Sequence, residues 1–177
     1  PLFHPAMKNV GPIRKELAVK TFFNMLGPMV NPSFPKNQLV GVFNLELARM
    51  YGYLYQNTDR NFTILHSLDG YDEISLTCPT KFISNTQEGV LNPSDFGVQQ
   101  LLQSEIEGGK TIEESAQMFT NIISGKGNEA QNKVVCANAA MAIATVTKCT
   151  PLEGFELAKE SLFSGKGLAA LNKLQEL

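Results

Sequence analysis

The 177-residue chain carries 15 Lys and Arg against 17 Asp and Glu, a formal charge of −2, and is 43% hydrophobic and 18% charged. That balance lacks the basic footprint of a nucleic-acid binder, and no apolar run approaches the roughly 18 residues a membrane span needs. A chain of this length and apolar content can bury one core, so residues 1–177 are expected to form one domain. Cys78, Cys136 and Cys149 are an odd count without metal-type spacing. Cys136 lies in an apolar run and reads as a small core residue, and the scattered thiols point to a reducing, cytoplasmic setting.

The first stretch, His4 to Pro32, sets two apolar runs, Ala18–Phe23 and Met25–Met29, among Pro5, Pro12, Pro28 and Pro32. Proline fixes φ and removes a backbone donor, so short helices joined by rigid corners are expected. Corners carrying His4, Lys8 and Arg14 suit an anionic ligand. The same composition also describes a connector whose charges are merely solvated.

Gln38–Phe43 reads as a buried strand, Leu45–Gln56 as a helix with Leu45, Ala48, Gly52 and Tyr55 on one side, and Phe62–His66 as a second strand. Strand, helix, strand within thirty residues predicts a βαβ unit and a parallel pair. The overall expectation is an α/β fold: a mostly parallel sheet flanked by helices, with a helical last third. Open sheets of this kind place ligands at the carboxyl ends of their strands. Here that position carries Asp69, Asp72 and Glu73. Asp72 and Glu73 offer hard oxygen ligands for Mg²⁺ shared with substrate phosphates, and a solvated acidic turn fits the spacing equally well. His66 reads as a strand-end residue, not a base. Glu73–Thr77 and Thr80–Ser84, separated by Cys78-Pro79, read as a bent strand pair or hairpin, which Gln87–Val90 extends.

Thr111-Ile112-Glu113-Glu114 is a capping box for a helix ending at Gly125, and Asn128 or Glu129 opens a longer helix. Val134, Val135, Ala137, Asn138, Met141 and Ala142 are expected on its apolar face, which runs through Val146, with Asn138 a satisfied structural group. Thr150-Pro151-Leu152-Glu153 repeats the cap, and Leu168–Leu177 makes a terminal helix. Ser-Gly-Lys-Gly occurs at 124–127 and 164–167, without phosphate-loop spacing, and reads as two glycine stops.

The run His4-Pro5-Ala6-Met7-Lys8, Pro12-Ile13-Arg14, Leu17, Thr21-Phe22-Phe23-Asn24, Leu26-Gly27-Pro28 and Asn31-Pro32 resembles the signature of the anthranilate phosphoribosyltransferase family. Two departures stand out: Lys20, where the family more often has arginine, and the 67–71 loop, where it has a glycine-containing version. The chain opens on Pro1 inside this motif, so it is expected to be the C-terminal portion of a longer enzyme. The family's Gly-Thr-Gly-Gly-Asp phosphate loop and N-terminal helices are not among these residues.

The resemblance implies transfer of phosphoribosyl from phosphoribosyl pyrophosphate to anthranilate, in tryptophan biosynthesis, with Mg²⁺ as cofactor held by Asp72 and Glu73. It implies Arg14 as partner of the anthranilate carboxylate, Gly27 and Pro28 along the aromatic ring, and His4 as a further contact. No covalent nucleophile is expected. It also implies a homodimer formed through N-terminal helices, and a fragment inactive by itself. A related pyrimidine nucleoside phosphorylase, or a non-catalytic binding paralogue of the same fold, are the alternatives.

Overall fold

The computed structural model describes residues 5–17 and 23–176, and the chain divides into two compact units, Pro1–Lys36 and Asn37–Leu177. In the first unit, α1 (Ala6–Leu17) contains Pro12 within its length. The expected corner at this proline is absent. The ring's fixed φ is already helical, so the helix loses one backbone bond without ending. Farther on, proline behaves as expected. The short α2 (Phe23–Leu26) passes into a 3-10 turn, Gly27–Val30, with Pro28 in its first positions. Asn31 then closes the turn: its side chain accepts from Ser33 N at 2.9 Å and its carbonyl accepts from Phe34 N at 3.1 Å.

The second unit is built on a four-stranded sheet in the order β1-β2-β3-β4. β1 (Asn37–Gly41) and β2 (Asn61–Ser67) run parallel, with Val40 opposite Ile64 and Gly41 opposite Leu65. Helix α3 (Leu45–Tyr55) makes the crossover. Asn44 caps it by accepting from Leu47 N at 2.8 Å. Leu47, Ala48, Tyr51, Gly52 and Tyr55 are its buried positions. Leu45 is 44% exposed, so the contacting stripe lies one step round from the one expected. Tyr55 stacks on Phe62 at 5.4 Å between ring centroids, which ties the helix to β2.

β3 (Thr80–Ser84) and β4 (Glu88–Leu91) add an antiparallel hairpin to the other side of β2. The α/β class holds, and among the described residues one strand pairing is parallel and two are antiparallel. Six of the seven residues of β2 are buried, as a strand covered on both faces must be.

The expected strand over Glu73–Thr77 does not form. Leu76 has φ 59, which no strand tolerates, and the backbone of Ile74 is paired with a side chain instead of a neighbouring strand.

Four helices complete the unit: α4 (Ile112–Ile123), α5 (Glu129–Thr147), α6 (Pro151–Phe163) and α7 (Lys166–Gln175). The first three start at the predicted caps, and α7 starts two residues before the expected Leu168 without a side-chain cap. Thr111, Asn128 and Thr150 accept from the backbone N–H of Glu114, Gln131 and Glu153. Gly125 and Gly165 adopt φ 72 and 79, the left-handed stops anticipated for the two Ser-Gly-Lys-Gly copies.

α5 packs on β1 and β2, and α6 crosses α5 where Gly154 meets Ala140: a Cβ on that glycine would lie 2.6 Å from the Ala140 carbonyl oxygen. The buried positions of α5 are Ala130, Asn132, Cys136, Ala137, Ala140, Met141 and Thr145, whereas Val135 and Val146 are 38% and 55% exposed. The expected face is thus corrected at Val135, Ala142 and Val146, all of which are exposed. A helix wedged between a sheet and a second helix buries two stripes, and a single apolar face cannot describe it. Among the described residues no single helix is long and apolar enough to cross a membrane.

Candidate functional site

The candidate residues fall in both units. In the first unit, His4 lies outside the described residues, as does the side chain of Arg14, whose backbone belongs to α1. Gly27 begins the 3-10 turn with its neighbour Pro28. Among the described residues no heavy atom lies within 4 Å of the point where a Gly27 Cβ would be, so its surface is open to a flat group.

The second unit holds the acidic loop that leaves the carboxyl end of β2. Its first turn is tight: Ser67 N donates to the Tyr71 carbonyl at 2.9 Å, Gly70 N donates back to the Ser67 carbonyl at 2.9 Å, and Gly70 sits at φ 101. Three carboxylates lie on this loop, and their environments differ. Asp69 faces inward. Ser75 Oγ donates to it at 3.2 Å and Thr77 Oγ1 donates to its Oδ2, and the two hydroxyl oxygens lie 2.9 Å apart. The carboxylate is therefore the hub that folds residues 75–77 back onto the turn. Burial, and then the charge of Asp69, push the Cys78 thiol above its ordinary range.

Asp72 and Glu73 are exposed, and among the described residues no hydrogen bond or ion pair engages either carboxylate. Their backbone is held on three sides. The Asp72 carbonyl lies directly against Gly41 at the end of β1, where a Cβ would overlap it. The Glu73 carbonyl accepts from Ser67 Oγ at 2.7 Å, and that hydroxyl is paired with Thr80 Oγ1 at 2.8 Å. Ile74, 1% exposed, accepts and donates through its backbone to Asn138 of α5. A rigid backbone thus carries two adjacent carboxylates outward, free of any protein partner described here.

His66 is 7% exposed and donates from Nδ1 to the Val42 carbonyl at 2.8 Å, the strand-end role expected of it.

Two anionic oxygen donors with vacant lone pairs are what a hard divalent cation takes when substrate phosphates and water complete its shell. Asp69 is unsuited to the same task because its oxygens already accept from two hydroxyls. Among the described residues no cluster of three or more His, Cys, Asp or Glu could hold a metal by protein ligands alone. The donor set therefore fits a cation shared with a bound phosphate and not a closed protein cage.

Sequence reasoning missed Gly41, the Asp69 hub and the reach of Asn138. The last had one signal, a polar residue within the alanine-rich part of its helix. The other two depend on contacts that no local pattern encodes.

Residues 1–168 match the model of the glycosyl transferase family, a/b domain. The chain belongs to this family. Over all 177 residues it is 85% identical to the anthranilate phosphoribosyltransferase of Flavobacterium johnsoniae, covering 54% of that protein. Among solved structures, anthranilate phosphoribosyltransferase from Thermus thermophilus matches with a TM-score of 0.87 and 28% identity, over 96% of this chain and 51% of that one. The Saccharomyces cerevisiae enzyme in complex with PRPP and Mg matches with a TM-score of 0.84 and 28% identity, over 96% and 49%. The chain spans about half the length of the curated relatives it matches. As a glycosyl transferase family member it has the mixed α/β architecture of these structures, a small sheet flanked by helices.

Proposed function

We propose that this chain is the C-terminal α/β portion of an enzyme that transfers phosphoribosyl from phosphoribosyl pyrophosphate to anthranilate, releasing pyrophosphate, in tryptophan biosynthesis. The observation that carries the reading is the Asp72–Glu73 pair, held at the carboxyl edge of the sheet with neither carboxylate bonded to another side chain or backbone group among the described residues. The names of the relatives, and the PRPP and Mg in the yeast complex, support the choice of substrates and metal.

In this reading Asp72 and Glu73 hold Mg²⁺, whose charge when bound offsets that of the departing pyrophosphate. The anthranilate amine forms the bond to C1 of the ribose as the C1–O bond to pyrophosphate breaks, pyrophosphate leaves with the electron pair, and the amine nitrogen releases one proton to solvent. The amine is already a nucleophile, so the chain's own residues position and compensate charge and do not act as strong acid or base. Arg14 holds the acceptor carboxylate through its guanidinium fork, the open surface of Gly27 and the flat ring of Pro28 line the aromatic ring, and His4 adds a contact. Subunit pairing through helices upstream of Pro1 and a cytoplasmic location belong to the same proposal.

The test is a Mg²⁺ titration of transferase activity in the complete enzyme. Asp72→Asn with Glu73→Gln is expected to lower turnover at fixed Mg²⁺ by roughly 10²–10³-fold. An unchanged titration would reduce the pair to an acidic turn. In parallel, Arg14→Ala is expected to raise the anthranilate KM while leaving that for phosphoribosyl pyrophosphate in place. An unmoved anthranilate KM would remove Arg14 from the site.

A further inference from the structure

The acidic loop is tied to the helical layer through one side chain. Asn138, on α5, lies 64 residues from Ile74 and directs its whole amide at that residue's backbone. Its Oδ1 accepts from Ile74 N at 2.9 Å, and its Nδ2 donates to Ile74 O at 2.9 Å and to Val134 O, one turn back along the helix, at 2.9 Å. An amide facing an N–H and a C=O together reproduces the two-bond pairing of adjacent strands. It therefore fixes both the position and the rotation of the peptide that follows Glu73. The bond to Val134 in turn fixes the amide on its own helix, so the loop inherits the rigidity of α5.

A clamp at this point sets the direction in which Glu73 leaves the backbone, and the carboxylate has no protein partner among the described residues to correct it. Mg²⁺ demands near-ideal octahedral geometry at short distance, so small rotations of a ligand are felt. We propose that Asn138 is a positioning residue for the Asp72–Glu73 pair, acting through the backbone of Ile74 to hold the carboxylates in metal-binding geometry. The inference rests on the reading of that pair as the metal ligands.

The test uses the complete enzyme with Mn²⁺ as a paramagnetic probe, its bound and free forms separated by electron paramagnetic resonance in the presence of phosphoribosyl pyrophosphate. Asn138→Ala is expected to weaken Mn²⁺ binding by roughly 10–100-fold, the usual cost of losing a group that orients metal ligands. The anthranilate KM should stay in place, and excess Mg²⁺ should restore turnover. Asn132→Ala is the control: Asn132 is a buried amide on the same helix, bonded to the Gly127 carbonyl at 2.9 Å and, among the described residues, not hydrogen-bonded to the loop. It should lower the melting temperature without moving metal affinity. If Asn138→Ala fails to fold, Asn138→Asp keeps the acceptor for Ile74 N–H and replaces the donor with an oxygen facing the Ile74 and Val134 carbonyls. Its added negative charge would by itself tighten cation binding, so weaker binding there reports lost positioning. Asn138 variants that lower the melting temperature with Mn²⁺ affinity unchanged would overturn the inference. Unchanged affinity in the Asp72→Asn, Glu73→Gln double variant would instead overturn the reading beneath it.

Discussion

The two ends of β2 are built from similar materials and left in opposite states. At its amino end, Asn61 Nδ2 donates to Asn37 Oδ1 at 2.8 Å and its Oδ1 accepts from Lys148 Nζ at 3.1 Å. Asn85 accepts from Phe62 N and donates to the Arg60 carbonyl, both at 2.7 Å. These are neutral amides and one cation, each engaged with a protein partner. At the carboxyl end bonds from Ser67 and Asn138 tie down the backbone and Asp69 gathers the Ser75 and Thr77 hydroxyls, yet Asp72 and Glu73 have no side-chain partner among the described residues. The amino end is closed by polar groups that satisfy one another. The carboxyl end uses such groups to present two exposed charges without a protein partner among the described residues, the arrangement that suits the cation site proposed above.

The comparison breaks most easily at Gly41. Gly41→Ala would push a methyl into the Asp72 carbonyl oxygen, which is backbone and cannot swing aside. The expected result is a loss of about 1–3 kcal/mol of stability from overpacking, read by denaturant unfolding. Metal affinity should fall with it by roughly 10–100-fold, read by Mn²⁺ titration. Retention of full metal affinity would show that the strand end does not govern the loop.

A middling effect is expected at Asp69. Asp69→Asn removes the charge on which Ser75 and Thr77 converge and should cost about 1–3 kcal/mol. It also has a chemical readout. The negative charge of Asp69 helps hold the Cys78 thiol protonated, so its removal should lower that thiol's pKa and speed alkylation of Cys78 by iodoacetamide at mildly alkaline pH. An unaltered labelling rate would mean the two groups are not coupled.

The smallest change sharpens the contrast from the other side. Asn85→Ala at the amino end should cost about 0.5–1.5 kcal/mol and leave the metal titration where it was. If it moved metal affinity as far as Gly41→Ala does, the two ends of the strand would not be functionally distinct.

Local chemistry made much of this architecture legible in the residues themselves. A cap needs only a Ser, Thr or Asn and the residue three places on, so Thr111, Asn128 and Thr150 announced their helices. A left-handed stop needs only a glycine, so Gly125 and Gly165 marked their ends. The βαβ unit followed from apolar spacing, and the carboxyl edge of β2 followed from that. The family was readable in the His4–Pro32 run because its residue choices are too odd to be dictated by packing.

Tertiary structure decided the rest, because the deciding contacts join residues far apart in the chain. Glu73–Thr77 has the composition of a strand, but an amide 64 residues away takes the hydrogen bonds a strand neighbour would have made. Asp69, Asp72 and Glu73 are alike in sequence and separate only when folding brings two hydroxyls to the first and, among the described residues, none to the others. The buried stripe of α5 depended on which two surfaces it would lie between. Periodicity states which residues share a face, and only the packed neighbours determine which face is covered.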